Sequence, residues 1–384
     1  MKGGKIYMKK LLTLALAFIL AAPVFAASPV KFLVTEDISY DDNIYLKKGT
    51  DKKDSFISTT RVGADYKAQI PGSSLNLKAG ALVGYNLYTE KPSKNNYWDA
   101  LGTVEVANQF LKLGDRVLYT SDPANSSLTE RYKRLNNTAY ASYQTSHEKL
   151  ISFGLLAEDI FDHYYESAMN YLNRNRVNAG AQVFYNFNTK TNIFAEYMFS
   201  DIVYDKNGDN NSTGHQVGLG INGQIAPKVN GTAKVTYAMR DYSHDLAGAS
   251  NHPDLFGYYA ALTYKPTQRD TFTLSGERKM EETLYDANRY FADTLVALTA
   301  RHQFNNKLSA SLLLGWEDMT YSRRAAWENK RRSDTLYTVR PQVDYLFRDW
   351  LMAGVWYQYR TRTSDAKWAE YENNKAGVFV KAMF

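Results

Sequence analysis

Along much of this chain, small or apolar residues alternate with polar ones at a period of two, which predicts β-strands whose two faces meet different surroundings. From Leu75 the residues Leu75, Leu77, Ala79, Ala81, Val83, Tyr85 and Leu87 fall on one face, and Asn76, Lys78, Gly80, Gly84 and Asn86 on the other. The split recurs in Val177, Ala179, Ala181, Val183, Tyr185 and Phe187 against Asn178, Gly180, Gln182 and Asn186. It recurs again in Val217, Leu219, Ile221 and Ile225 against Gln216, Gly218, Asn222 and Gln224. The chain ends on the same pattern: Ala376, Val378, Val380, Ala382 and Phe384 share one face, Lys375 and Lys381 the other. One face suits lipid and the other water.

The breaks between these runs alternate in length. Turn-forming clusters centre on Pro71-Gly72, Leu113-Gly114-Asp115, His147-Glu148, Asn188-Thr189-Lys190, Ala226-Pro227-Lys228, Thr267 to Asp270, Asn305-Asn306-Lys307 and Arg348-Asp349. Longer polar segments lie between them, at 46–54, 89–96, 121–134, 159–173, 205–213, 243–254, 282–289, 322–333 and 363–372. Eight short turns and nine long loops join eighteen strands. This predicts an all-β fold, a transmembrane antiparallel β-barrel of eighteen strands with sixteen as the alternative count, short periplasmic turns and long extracellular loops. The segments 31–45 and 113–121 carry the weakest strand patterns.

Composition changes the picture in two places. The chain holds 30 Tyr, 18 Phe and 6 Trp at a mean hydropathy of −0.46. Aromatic girdles around a polar interior account for that pairing, whereas a soluble core would need aliphatic runs that are missing. The net charge of +6 also needs reading by region, because Lys2, Lys5, Lys9 and Lys10 precede any acidic residue. Without those four, 42 basic residues face 40 acidic ones, so the charge is no argument for nucleic acid. Lys9-Lys10, the apolar run Leu11 to Ala22 and Val24-Phe25-Ala26 have the form of a signal peptide over 1–26, with Met8 as a sufficient start and 27–384 as a single barrel domain. The absence of cysteine fits passage through an oxidising periplasm.

The stretch Leu274 to Tyr285 (LSGERKMEETLY), the segment Arg301 to Leu308 (RHQFNNKL), Asp344 to Leu351 (DYLFRDWL) and the early Asp41-Asp42-Asn43-Ile44-Tyr45 resemble outer-membrane barrels of the beta-barrel porin 2 type. The resemblance spans 27–384 without one diagnostic motif. It implies association with exopolysaccharide synthesis and a periplasmic polysaccharide export protein as partner. It also implies that the terminal Phe384 is the signal read by the barrel-assembly machinery.

Candidate chemistry is sparse. The six histidines, His147, His163, His215, His244, His252 and His302, form no metal-ligand motif, and no nucleophile is spaced to use His302, so neither enzyme activity nor a cofactor is expected. Asp205-Lys206-Asn207-Gly208-Asp209 lacks the glycine and glutamate positions of a calcium loop. Specificity therefore falls to the lumen face. Parity points Arg61, Lys67, Lys78, Arg240, Arg301, Arg340, Arg360 and Arg362 inward, with Asp65, Asp99, Glu105, Glu196, Asp293, Glu317 and Asp344. Such rows either set a transverse field or neutralise one another. Inward Tyr259, Trp356 and Phe379 are placed to stack on sugar rings, and Arg323 to Arg332 is basic enough to meet lipopolysaccharide phosphates. The expected function is an exopolysaccharide conduit. Alternatives are a stand-alone diffusion porin for small solutes and a non-transport structural or adhesive barrel, the last predicting a lumen blocked by folded-in loops.

Overall fold

The computed structural model describes residues 29–146, 148–245, 250–284, 288–324 and 331–384. The expected leader at 1–26, His147 and the centre of the basic segment 323–332 lie outside the described residues, as do the side chains of Arg323 and Arg324. Period-two alternation becomes eighteen antiparallel strands. These are β1 (Val30–Asp41), β2 (Ser55–Gln69), β3 (Asn76–Tyr88), β4 (Tyr97–Ala107), β5 (Leu111–Thr120) and β6 (Arg134–Gln144). Then come β7 (Ile151–Tyr164), β8 (Arg174–Asn188), β9 (Thr191–Tyr204), β10 (Ser212–Ala226), β11 (Val229–Tyr242) and β12 (Asp254–Tyr264). The last third holds β13 (Asp270–Glu282), β14 (Tyr290–Gln303), β15 (Leu308–Arg324), β16 (Arg331–Arg348), β17 (Leu351–Ser364) and β18 (Tyr371–Met383). Each strand pairs with its sequence neighbours, and β1 also pairs with β18, so no edge is left open.

The seam between first and last strand is locked at the chain end. The Phe32 amide donates to the Phe384 carbonyl at 2.6 Å and the Phe384 amide donates back at 3.0 Å. The two rings lie 6.2 Å apart, in a cluster with Ala382, Trp350 and Leu351. Both strand patterns that were weak in sequence are strands: β1 has 12 residues and β5 has 10. Seven of the eight short connections fall where turn residues predict them; the exception joins β4 to β5 through Asn108 to Phe110, where the Asn108 side chain accepts from the Phe110 and Leu111 amides, and the expected turn Leu113-Gly114-Asp115 lies inside β5. Two long loops are shorter than their polarity suggests, because β7 continues to Tyr164 and β15 to Arg324.

Burial is inverted relative to a water-soluble fold. Leu219 is 64% exposed on the outer face while Glu196, its neighbour across the wall on the inner face, is 6% exposed. The outer face is not uniformly apolar. Asp115, Ala139, Asp159, Val177, Asp201, Thr213 and Asp241 form one lateral row across β5 to β11. Strand tilt of about 35–45° makes such a row climb, and it ends one residue below the long-loop end of β11. On β1 the outward Glu36 accepts from the hydroxyls of Ser58 at 2.6 Å and Thr60 at 2.5 Å.

Candidate functional site

The lumen wall is built by the inward parity of all eighteen strands, and most of its predicted charges are matched locally. Arg61 meets Asp99 at 3.4 Å. Glu105 holds Lys78 at 3.0 Å and Lys112 at 2.9 Å, and accepts from the Tyr140 hydroxyl at 2.9 Å. Glu196 accepts from Gln182 at 2.9 Å and pairs with Lys234. Asp344 accepts from Gln342 at 2.7 Å, and Arg301 donates to Ser309 at 3.1 Å. Among the described residues, ion pairs thus engage seven of the fifteen predicted charges, Arg61, Lys78, Asp99, Glu105, Glu196, Arg240 and Arg362. Asp65, Lys67, Asp293, Arg340 and Arg360 have no ion pair within 4.0 Å among the described residues. The inward aromatics are not open platforms. The Trp356 indole donates to Asp37 at 2.7 Å and lies against Gly377, where a Cβ would come within 2.8 Å of the ring. Phe379 covers Gly354 in the same way, and Tyr259 carries the Lys234 ammonium at 5.8 Å.

Two charge clusters near the long-loop end were invisible to parity alone. Glu282 is 2% exposed and pairs with Arg176, Arg240 and, at 3.6 Å, Arg174. Asp162 adds ion pairs to Arg174 at 3.2 Å and Arg134 at 3.9 Å. Across the barrel, Asp334 pairs with Arg332 at 2.5 Å and Arg362 at 3.9 Å. Asp162 and Glu282 escaped because the polarity of 159–173 and 282–289 marks those segments as loops. The two arginines of β8, inward and two residues apart, were the available signal.

The long connection 121–133 decides what this lumen does. Its ends are fixed together, since Thr120 and Arg134 are register partners. Its tip crosses to the far wall: β6 and β15 lie nine strands apart in either direction around the ring. Asn125 donates to the Glu282 carbonyl at 3.0 Å, the Ser126 hydroxyl to Glu317 at 3.0 Å, and the Leu284 amide to the Ser127 hydroxyl at 3.2 Å. Arg362 donates to the Ser126 carbonyl. Leu128 packs with Tyr164, Met169, Leu172 and Leu284 in an apolar cluster inside the barrel mouth. Near its return, the Arg131 guanidinium lies 5.0 Å from the Tyr88 ring and 5.4 Å from that of Tyr97. The tip sequence supplies this shape: Asn125 folds back to accept from the Ser127 amide at 3.1 Å and hydroxyl at 2.6 Å, an Asx-type turn after Pro123. A row of short hydroxyl and amide side chains then meets wall groups that would otherwise be buried without partners.

The mouth above the strap is tied as well. Lys48 and, at 2.9 Å, Lys367 donate to Glu370, which hydrogen bonding to both lysines holds down to about 2. Because that value lies below the ordinary carboxylate range, the link between the first and last loops persists as pH falls until about 2. His302 faces outward beside the short-turn rim, bound to Asp270 at 2.7 Å, and no described hydroxyl completes a nucleophile with it. No group of three metal-ligating side chains occurs among the described residues.

Residues 30–384 match the model of the family described as "Putative beta-barrel porin 2". Solved barrels of similar shape include the Pseudomonas aeruginosa outer-membrane protein OpdK, at a TM-score of 0.51 and 10% identity over 92% of this chain and 99% of that one. Acinetobacter baumannii OccAB3 is similar at a TM-score of 0.50 and 10% identity, over 92% and 99%. At such identity the likeness shows the fold alone. A search of curated protein sequences finds no match. A closed eighteen-stranded barrel, inverted burial and the family match together give one conclusion: the chain belongs to the beta-barrel porin 2 family and is a β-barrel porin of a Gram-negative outer membrane.

Proposed function

We propose that the protein is a stand-alone channel through which small hydrophilic solutes diffuse passively. The observation that carries this reading is the strap at 121–133, tied to three strands on the wall opposite its root. A hydrated polymer needs a wide path, and it would have to displace this strap. Displacement breaks four hydrogen bonds worth about 1 kcal/mol each and exposes the Leu128 cluster to water. Small solutes need far less room. One structural neighbour, OpdK, is also solved with vanillate, a small solute, which agrees in kind. The exopolysaccharide conduit, with its periplasmic export partner, is the second reading, and it rests on the family resemblance. Contacts with lipopolysaccharide and with the barrel-assembly machinery belong to either reading.

Deleting the gene separates the two. The expected result is normal surface polysaccharide with slower uptake of small hydrophilic solutes at limiting concentration. Loss of polysaccharide with unchanged uptake would reverse the choice.

A further inference from the structure

We propose that β16 to β18 carry an oxyanion-binding notch in the lumen wall, formed by Arg340, Arg360 and Lys375 around Gln358, which takes the carboxylate or phosphate of a permeating solute. The proposal rests on the solute-channel reading and names the solute's charge class.

Register brings the three cations together. Gln358 pairs with Lys375, and Arg360, two residues on, pairs with Thr338 on one side and Asn373 on the other. Arg340 follows Thr338 by two residues on the same face. Arg340 and Lys375 both lie over the Trp356 indole, at 4.6 and 5.8 Å from its centre, so two like charges converge on one ring. That ring is itself immobilised by Asp37 and Gly377. A guanidinium that uses its face for stacking keeps its edge donors for a planar oxyanion. The Nε of Arg340 is indeed buried without a hydrogen-bond partner.

The three cations outnumber the two carboxylates beside them, Asp41 at 4.0 Å from Lys375 and Asp37 at the Trp356 indole. Glu317, whose field reaches Arg360, is engaged by Ser126 of the strap. The notch also lies one step inside Arg362, which anchors the strap tip. A solute that clears the strap therefore meets it next, and net positive charge on a low-dielectric wall raises the local concentration of anions.

The test uses the full-length barrel in planar bilayers carrying chloride current, with inorganic phosphate, glucuronate or glucose added. Phosphate or glucuronate should reduce the current saturably, and glucose should not. Block by only one of the two anions supports the notch and identifies the oxyanion. Arg340→Gln combined with Arg360→Gln should raise the half-blocking concentration about tenfold or more, the loss of charge-assisted bonds, while Arg340→Lys retains part of the block. Heat-modifiable gel mobility verifies that each variant is a folded barrel. If the double variant does not fold, saturability in the wild type decides. Wild-type current without saturable anion block, or block unchanged in the folded double variant, overturns the notch and leaves the channel reading standing. A wild-type barrel that passes no current overturns both.

Discussion

Replacing residues 122–132 by a short Gly-Ser turn is expected to raise single-channel conductance to several times the wild-type value and to remove size discrimination among small sugars. The shortening is tolerable because Thr120 and Arg134 are already register partners, so neither strand has to move. What is lost is the material inside the mouth: the tip contacts to Glu282, Glu317 and Arg362 and the Arg131 stack on Tyr88 and Tyr97. An eighteen-stranded wall by itself encloses an aqueous channel. The strap is therefore the main constraint, and bilayer recordings of the shortened protein check it. Conductance equal to wild type would mean that other inward segments, such as the one carrying Met169 and Leu172, set the limit.

The second large effect is at the chain end. Deleting Phe384 should leave little assembled barrel, whereas Phe384→Tyr should assemble nearly as the wild type does. Deletion removes both reciprocal bonds to Phe32 across the closing seam, together with the ring that packs on Phe32, Trp350 and Leu351. Ring burial alone contributes about 2 kcal/mol. The nine register pairs from Leu33–Met383 to Asp41–Lys375 remain, but the short-turn end of the closing seam is left unpaired. Tyr retains both the backbone bonds and the ring. Heat-modifiable mobility of outer-membrane fractions measures the folded amount. Assembly undiminished by the deletion would show that the seam closes without its terminal residue and that no machinery reads it.

The architecture was open to reading because a barrel wall is local. Each strand shows its two faces in its own alternation, and most short turns announce themselves through residues such as Pro71-Gly72 or Asn305-Asn306, although Gly114-Asp115 inside β5 imitates one. The interior was less so, because it depends on which loops enter it. Nothing in Ser-Asp-Pro-Ala-Asn-Ser-Ser-Leu distinguishes a strap that crosses the lumen from a loop that waves in solvent. Its partners lie 157 to 236 residues away in the chain. Parity put Arg240 and Arg362 on the inward face, but it could not pair them with Glu282 and Asp334, since Glu282 sits where a strand bends into a loop. Gly218 and Gly220 illustrate a subtler limit. Both share the inward parity of β10, yet the Phe194 ring lies over Gly220, where a Cβ would come within 2.5 Å of it. The aromatic fills the place that the missing side chain leaves.

The central claim is that this lumen passes small solutes and excludes polymers because the strap stays in place. Swelling of liposomes containing the purified barrel tests it most directly, with an isotonic series running from a pentose through a disaccharide to a dextran. The account predicts rapid swelling in the pentose, slower swelling in the disaccharide and none in the dextran. Entry of dextran as fast as disaccharide, in barrels shown to be intact, would contradict it.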